Sequence, residues 1–402
     1  MKAFAANTIL TIVAIVLSLA GAEAILRLAD YSAPSWKLLD DELGWKNIPN
    51  AEGWFRREGT AYIRMNKAGF NSLHEFVPEK PAGTFRIAIV GDSQVAALQV
   101  AQSAHFAAVL ERELASCPAL AGRSVEVYPF GVQGYNTVQE LLLYRNVVAK
   151  YHPDVVILGL IVGNDFPENT KAGRGPFTPF ARLQDGKLTI DQSELKTEGF
   201  RRAMDSVRTR ARVINSLRAV QLVKEALVRL PAVVDLFQSG GEATGDTGES
   251  PSEPERDSLN PVLGRISASE DRAPSDEQMS VFMALLGELS AGVKQEGARF
   301  FVARLDAGSM LRHGGPGGAQ SHDPEKRLKA LALDRQVSAT LAGAGYDVIP
   351  TAKALVDAAE AAGTNFYRHE GADFEAGHFN AAAHKVVGTT MAMHLCARLA
   401  GG

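Results

Sequence analysis

The tripeptide Gly91-Asp92-Ser93 stands where an apolar, β-rich run at residues 85–90 gives way to a helical pattern. Open parallel sheets bind ligands at the carboxyl ends of their strands, so a serine at this point would be exposed at a ligand-binding edge. Its backbone N–H would lie at a helix N-terminus, where negative charge is stabilised. These features are typical of a nucleophile, although a serine that only caps a helix has the same pattern.

Three further polar segments fall at the ends of later elements. Residues 130–137 (FGVQGYNT) follow a second strand candidate, and Gly163-Asn164-Asp165 follows a third. Residues 375–380 (EAGHFN) stand just before the last helical pattern. A motif of this kind is absent around four other histidines: His152, His369, His384 and His394. We expect His384 and His394, which fall in the final helix, to be surface or packing residues.

The elements that would position these segments alternate between strand and helix. Strand candidates cover residues 85–90, 125–128, 153–162, 298–305 and 346–349, and helical patterns cover residues 106–114, 137–148, 279–293, 326–344 and 381–399. The run at 153–162 is continuously apolar from residue 155 onward, as expected of a strand that is buried on both faces of a parallel sheet. The alternation predicts a doubly wound α/β domain over residues 84–400.

Residues 171–283 interrupt this alternation and are predicted to be an insertion. Residues 196–238 are predicted to be helical, because apolar residues are spaced three and four apart at Phe200, Met204, Val207, Ala211, Ile214 and Leu217. Residues 196–229 contain nine basic and three acidic residues. Such a helix could face anionic lipid or an acidic polysaccharide, but a cap helix with a solvated charged face is the more common arrangement. Residues 239–258 hold no large apolar side chain and are predicted to be disordered.

An uncharged, apolar run at residues 3–22 is long enough for a membrane-spanning helix, because 20 residues extend about 30 Å. Lys2 precedes this run and net negative charge follows it, so the positive-inside rule places the rest of the chain outside the cytoplasm. Residues 1–30 would then be a signal anchor in a bacterial inner membrane, with the remainder in the periplasm. A signal peptide cleaved after Ala22 is the alternative, because Ala20-Gly21-Ala22 resembles a cleavage site.

The remaining segment and the overall composition limit the classes of function. Residues 31–83 hold turn formers and scattered aromatic residues, and we expect a short membrane-proximal segment that leads into the main domain. A formal net charge of −4 gives no basic excess with which to bind nucleic acid. No cluster has metal-ligand spacing and no G-x-G-x-x-G follows a strand, so neither a metal nor a nucleotide cofactor is predicted.

The order and positions of the four polar segments resemble the sequence blocks of the SGNH/GDSL hydrolase family. The stretch at residues 66–70 (NKAGF) also resembles the lead-in to the first strand in the membrane-anchored bacterial subgroup. The resemblance covers a core of about 200 residues and leaves the insertion without a counterpart. It implies a three-layer, flavodoxin-like α/β fold and the hydrolysis of esters.

The resemblance also implies a role for each block. Ser93 would be the nucleophile and His378 the general base. The backbone N–H groups of Ser93 and Gly134, with the side-chain amide of Asn164, would form the oxyanion hole. The family usually has an aspartate three residues before the histidine. This chain has Glu375 there, and Asp373 is the alternative acid.

The two cysteines of the chain become informative once a flavodoxin-like fold is assumed. Cys117 lies near the end of the helix after the Ser93 strand, and Cys396 lies near the end of the last helix. These helices would be neighbours on one face of the sheet, and an oxidising compartment would permit a disulfide between them. Two buried free thiols are the alternative.

Taken together, these features predict an extracytoplasmic serine esterase that forms an acyl-enzyme. Its expected substrates are carboxylic esters, O-acetyl esters foremost, on envelope carbohydrate or lipid. One alternative is an O-acyltransferase that acts on polysaccharide through the same residues. The other is a non-catalytic carbohydrate-binding or assembly subunit of an envelope complex.

Overall fold

The computed structural model describes residues 2–229, 273–305, 324–363, 365–370 and 377–401. The segment predicted to be disordered, residues 239–258, lies outside this part, as does the end of the predicted helical stretch, residues 230–238. The two candidate acids Glu375 and Asp373 also lie outside the described residues.

Strands and helices alternate over most of the described chain. The strands are, in chain order, β1 (Lys37–Asp40), β2 (Gly44–Asn47), β3 (Glu52–Phe55), β4 (Ala61–Arg64), β5 (Thr84–Gly91), β6 (Ser124–Gly131), β7 (Val155–Leu160), β8 (Phe180–Gln184), β9 (Lys187–Asp191), β10 (Arg299–Arg304) and β11 (Asp347–Ile349). The α-helices are α1 (Lys2–Leu28), α2 (Ser93–Ala96), α3 (Phe106–Leu114), α4 (Thr137–Asn146), α5 (Val162–Asp165), α6 (Glu198–Ser216), α7 (Arg218–Arg229), α8 (Asp276–Gln295), α9 (Pro324–Gly343), α10 (Thr351–Ala362) and α11 (Ala381–Ala400).

A five-stranded parallel sheet forms the centre of the domain. Its strand order is β11-β10-β7-β5-β6, and each neighbouring pair is parallel. This is the order of a flavodoxin-like doubly wound sheet, in which ligands bind where the order reverses, beside the first strand. The predicted α/β fold class is therefore confirmed, and every strand candidate of the domain is a strand of this sheet.

Helices cover both faces of the sheet, which explains why its central strands are apolar on both sides. One buried cluster joins the sheet to α3, α10 and α11, and the other joins it to α4, α8 and α9. All eight residues of β5 and all six of β7 are buried. Burying one isoleucine or leucine side chain contributes about 1.5–3 kcal/mol, so these strands form the stable frame for the loops at their ends.

Residues 31–83 form two antiparallel hairpins, β1–β2 and β3–β4, that pack on the domain. Trp45 donates its indole N–H to the Gln133 carbonyl oxygen at 3.0 Å, and Asn47 donates to the Gly131 carbonyl oxygen at 3.0 Å. Asn71 donates to the carbonyl oxygens of Ala96 and Ala97. The segment that we expected to be a short lead-in is thus bonded to the loops at the carboxyl ends of the strands, through contacts that are distant in sequence.

The insertion contains ordered structure on both sides of its undescribed part. It begins with the β8–β9 hairpin, which sequence patterning did not predict, and continues into α6 and α7. Phe200, Val207 and Ala211 are buried, as the apolar stripe predicted, whereas Leu217 at the end of the stripe is exposed. Helix α8 begins at Asp276, so the predicted end of the insertion at residue 283 falls inside this helix.

Helix α1 meets the length and composition of a membrane span over Ala6–Leu28, with a mean hydropathy of 2.4. Its most apolar stretch is not buried in the protein. Within the α/β domain, Cys117 and Cys396 form a disulfide, and their Cα atoms are 5.7 Å apart. This bond joins the chain just after α3 to the last turns of α11, two helices that pack on the same face of the sheet.

Candidate active site

Ser93 is the first residue of α2, directly after β5 ends at Gly91. The cap of this short helix is Asp92, whose Oδ1 accepts the Gln94 backbone N–H at 3.0 Å. Asp92 is buried, whereas Ser93 is partly exposed at the sheet edge. The capping role that was the alternative for Ser93 therefore belongs to its neighbour.

His378 lies in the segment before α11, and the structure brings this segment to Ser93. The Gln94 side chain donates to the Gly377 carbonyl oxygen at 3.4 Å and accepts the Phe379 backbone N–H at 3.3 Å. The residues on both sides of His378 are thus bonded to the residue next to Ser93. This contact joins positions that are more than 280 residues apart and places both side chains at one edge of the sheet.

The carboxylate beside the imidazole comes from the N-terminal part of the chain. Glu58 Oε2 lies 2.6 Å from His378 Nδ1, and Glu58 Oε1 accepts the Gly377 backbone N–H at 3.3 Å. The side chains of His378 and Glu58 are only 12% and 14% exposed. A short ion-pairing contact of this kind, shielded from water, fixes the orientation of the ring.

The environment of Glu58 keeps its carboxylate ionised. Burial alone would raise the pKa of Glu58, but attraction to His378, together with the hydrogen bonds from His378 and Gly377, lowers the pKa below its usual value. Because the net effect is a lowered pKa, the ionised Glu58 carboxylate that is paired with His378 is favoured. A negative charge at this position stabilises the positive charge that the imidazole gains when it takes up a proton.

The β3–β4 hairpin explains how Glu58 reaches the site. Phe55, Ala61 and Ile63 pack with Ala96, the last residue of α2, and with Leu98, just after it. Gly59 packs closely against Gln99 and His369. A Cβ added to Gly59 would lie 2.2 Å from the Gln99 carbonyl oxygen and 2.6 Å from His369 Nδ1. The hairpin is therefore pressed against the Ser93 turn, and its loop points Glu58 at His378.

Two further positions supply hydrogen-bond donors at the same sheet edge. Gly134 follows β6 and has a φ of +78°, a conformation that glycine adopts readily and that its loop requires. Asn136 then caps α4, its side chain accepting the Gln139 backbone N–H. Asn164 lies in α5, directly after β7, and donates one amide hydrogen to Asp92 Oδ2 at 2.5 Å. An amide has two N–H donors, and this bond engages one of them and orients the Asn164 side chain.

Several carboxyl groups lie beneath these loops. Burial, and next the charge of Asp92, raise the pKa of Glu168 to about 8. Burial, and next the charges of Asp165 and Asp92, raise the pKa of Glu140 well above its usual value. Both oxygens of Glu140 are buried without a hydrogen-bond partner among the described residues. Burial among these carboxyl groups therefore favours the neutral form of Glu140.

The histidines without a motif have structural contacts. His384 is fully buried, and its Nδ1 accepts the Phe106 backbone N–H at 3.2 Å, so it packs α11 on α3. His394 pairs with Asp347 at 2.7 Å. His369 is buried, and its Nε2 lies 3.2 Å from the His378 carbonyl oxygen, so it supports the backbone of the site. Burial lowers the pKa of His369 and of His384, which favours the neutral rings.

Sequence reasoning did not identify Glu58 or Gln94 as part of the site. Alternating side chains on either side of a Glu-Gly pair could have indicated a hairpin at residues 52–64. Nothing local indicates that its loop reaches a histidine 320 positions later. Among the described residues, no group of three or more His, Cys, Asp or Glu side chains is placed to hold a metal ion.

Comparisons with known proteins give matches among solved structures only. No protein-family model and no curated protein matches this chain. A lipase/acylhydrolase from Enterococcus faecalis is 14% identical, with 78% of this chain and 96% of that chain covered and a TM-score of 0.36. A catalytic mutant of an acetylxylan esterase from Geobacillus stearothermophilus is 10% identical, with coverage of 79% and 96% and a TM-score of 0.37. A lipolytic protein of the G-D-S-L family from Desulfitobacterium hafniense is 12% identical, with coverage of 77% and 98% and a TM-score of 0.32.

Proposed function

We propose that this chain is a serine esterase of the SGNH/GDSL type, with Ser93 as nucleophile and His378 as general base. The observation that supports this most strongly is the position of His378. Its ring is held by Glu58, and its two neighbours in the chain are bonded to Gln94, next to Ser93. A binding module needs no imidazole that is paired with a buried carboxylate beside an exposed serine.

The chemistry follows from the hydrogen bond at Nδ1. Because Glu58 engages Nδ1, Nε2 is the ring nitrogen that takes the proton from the Ser93 hydroxyl. The serine oxygen then attacks the ester carbonyl carbon, and the tetrahedral intermediate loses its alcohol as the imidazolium returns the proton. Water repeats the sequence on the acyl-serine, releasing the carboxylic acid and the free enzyme.

The negative oxygen of each tetrahedral intermediate needs fixed donors. We assign these to the backbone N–H groups of Ser93 and Gly134 and to the side-chain amide of Asn164. The contact between Asn164 and Asp92 supports this assignment, because it engages one of the two N–H donors and orients the Asn164 side chain. Donors that are already oriented stabilise the transition state without a reorganisation cost.

We assign the orienting carboxylate to Glu58 rather than to Glu375 or Asp373. The sequence register favoured Glu375, which lies outside the described residues. The described contact of 2.6 Å places Glu58 on the ring nitrogen that an orienting acid must engage. Glu58 acts through His378 and touches no reacting atom, so it is a positioning residue.

The location and substrate class follow from α1. We propose that α1 is a signal anchor, or a signal peptide if it is cleaved, and that the domain works outside the cytoplasm on acyl esters, O-acetyl esters foremost, of envelope carbohydrate or lipid. The anchor is supported by the length and apolar composition of α1, which are sufficient to cross a membrane. The disulfide supports an oxidising compartment.

The direct test is hydrolysis of p-nitrophenyl acetate by the full chain in detergent micelles. We expect Ser93→Ala and His378→Ala each to lower kcat/KM by about 1,000-fold or more, because each removes a partner of the same step. The matched controls are Ser103→Ala, at an exposed serine, and His152→Asn, at an exposed histidine with a φ of +48° that asparagine tolerates. Both controls should retain the activity of the native chain.

Equal activity of the native chain and Ser93→Ala would overturn the proposed mechanism. A second assay, with acetylated polysaccharide, separates hydrolysis from transfer. Release of free acetate at a rate that is independent of added sugar acceptor supports the esterase. Acetate that appears on the acceptor, and only when the acceptor is present, would replace the esterase with an acyltransferase.

A further inference from the structure

Helix α7 has its polar side against the protein and its apolar side outward. Gln221 is buried, with its Oε1 accepting the Ala33 backbone N–H at 2.7 Å, and Lys224 donates to the Ala33 carbonyl oxygen at 2.8 Å. On the opposite side, three apolar residues are 38–56% exposed: Leu222, Val223 and Leu227. A helix that covers a soluble domain normally has the reverse arrangement, so this outward face needs an apolar partner.

Exposed apolar side chains are also present near the end of α6, the helix that precedes α7. Val213 is 47% exposed and Leu217 is 44% exposed. We call these five residues, Val213, Leu217, Leu222, Val223 and Leu227, the outward apolar face. Exposed arginines lie near it on α6, including Arg210 and Arg212.

The position of this face relative to α1 indicates what covers it. Glu23 accepts the backbone N–H groups of Arg218 and Ala219, at 3.0 and 2.9 Å, and so caps the start of α7. Arg27 donates to the Ser216 carbonyl oxygen at 3.0 Å, at the end of α6. The junction between α6 and α7 is thus bonded to the last two turns of α1, at the level where its uncharged run ends.

We propose that the outward apolar face lies in the interfacial layer of the lipid bilayer that α1 crosses. This inference rests on the proposed role of α1 as a membrane anchor. Because the uncharged run of α1 ends at Ala22, the interfacial layer of a membrane around α1 would lie at the level of Glu23, where α7 begins. The apolar side chains would enter the boundary between headgroups and acyl chains, and the exposed arginines would face anionic headgroups.

The consequence is a fixed orientation of the esterase domain. A single membrane helix holds a domain near the bilayer but leaves it free to tilt. A second contact, bonded rigidly to both α1 and the segment around Ala33, removes that freedom. An interfacial helix alone binds weakly, but α1 keeps it at a high local concentration beside the bilayer.

Spin labelling of the full chain in vesicles of phosphatidylethanolamine and phosphatidylglycerol tests this proposal. The native cysteines are joined in a disulfide, so a nitroxide reagent reacts with one introduced cysteine. The test position is Val223→Cys and the control is Asp205→Cys, on α6, where the native side chain is 77% exposed. At residue 223 we expect collisions with oxygen to exceed collisions with a water-soluble nickel complex several-fold, and the reverse at residue 205.

Other results would overturn the proposal in distinguishable ways. If the nickel complex reaches residue 223 as readily as residue 205, the outward apolar face lies in water. If both relaxation agents are excluded from residue 223, protein covers the face. If carbonate washing releases the chain from the vesicles, α1 is no anchor. Hydrolysis of p-nitrophenyl acetate in the same vesicles reports separately on the proposed esterase.

Discussion

The central sheet and the β3–β4 hairpin contribute to the same site in different ways. Ser93, Gly134 and Asn164 lie two to four residues beyond the ends of strands β5, β6 and β7, which are paired along their length in the sheet. The hairpin contributes Glu58 from a two-stranded element that packs on Ala96 and Leu98. We propose a division of labour, in which the sheet supplies groups that touch the substrate and the hairpin orients His378, which comes from the segment before α11.

If the sheet supplies the groups that touch the substrate, removing one of its donors should have a large effect. We expect Asn164→Ala to lower kcat by roughly 100- to 1,000-fold with little change in KM, because the amide acts mainly in the transition state. Steady-state hydrolysis of p-nitrophenyl acetate measures both parameters. The control Asn146→Ala removes an amide that bonds Glu42 away from the site, and an equal loss in both variants would refute the oxyanion role.

If the hairpin only orients His378, the loss of its carboxylate should have a smaller effect. We expect Glu58→Gln to lower kcat by less than the loss of Ser93 or of His378 does, because Ser93, His378 and the oxyanion donors remain. Glu58→Asp keeps the charge and should retain more activity than Glu58→Gln. The control is Glu52→Gln in the same hairpin, where the native carboxylate pairs with Arg64 on the surface.

The pH dependence of stability gives a second measure of Glu58. Its pKa is lowered in the folded state, so its contribution to stability is present above the unfolded pKa and is lost as pH falls through the folded pKa. The difference in thermal stability between the native chain and Glu58→Gln should therefore be constant near neutral pH and shrink below about pH 4.5. A difference that grows with acidification would contradict the pairing with His378.

The disulfide links two helices that pack on the central sheet, because it joins the chain after α3 to α11. Removing it should lower the free energy of unfolding by about 2–4 kcal/mol, since the unfolded chain gains entropy. Activity at 25 °C should change little, because the bond lies at the far end of α11 from His378. Thermal unfolding of the Cys117→Ser/Cys396→Ser variant, compared with that of the unsubstituted chain, measures the effect. If the unsubstituted chain, unfolded without a reducing agent, titrates with two free thiols, the disulfide does not form.

A pH-dependent effect on stability is expected from the carboxyl groups under the sheet loops. Since the folded pKa of Glu168 is raised to about 8, its contribution to stability is fully present below the unfolded pKa, about 4.5, and is lost as pH rises through 8. Glu168→Gln cannot ionise and should flatten the fall in thermal stability between pH 5 and pH 8. An unchanged slope would show that Glu168 is not protonated in the folded chain.

The same comparison shows what could be predicted from the sequence. Strand β7 is a continuous apolar run, β5 and β6 are short β-rich runs, and each is followed by a turn-rich or polar segment. Both the sheet and the positions of Ser93, Gly134 and Asn164 could therefore be inferred from local patterns. Glu58 could not, because its role depends on packing between Ile63 and Leu98 and on the close approach of Gly59 to Gln99. No periodicity in the sequence encodes that contact.

The insertion gives a second example of a feature that local sequence patterns do not determine. The spacing of Phe200, Val207 and Ala211 predicted the buried stripe of α6, because those side chains obey the ordinary helical period. Helix α7 has apolar residues at similar spacing, yet they face outward, since Gln221 and Lys224 bind the backbone of Ala33. The spacing indicates that a helix is amphipathic, but the partners of its polar side decide which face is exposed.

The central claim is that Ser93 is an activated nucleophile at the site that the sheet and the hairpin build together. A fluorophosphonate probe followed by peptide mass spectrometry tests it most directly. We predict one adduct per chain, on Ser93, with labelling at least about 100-fold slower in His378→Ala because the general base is lost. No adduct on Ser93, or equally fast labelling of Ser93 in His378→Ala, would contradict the account.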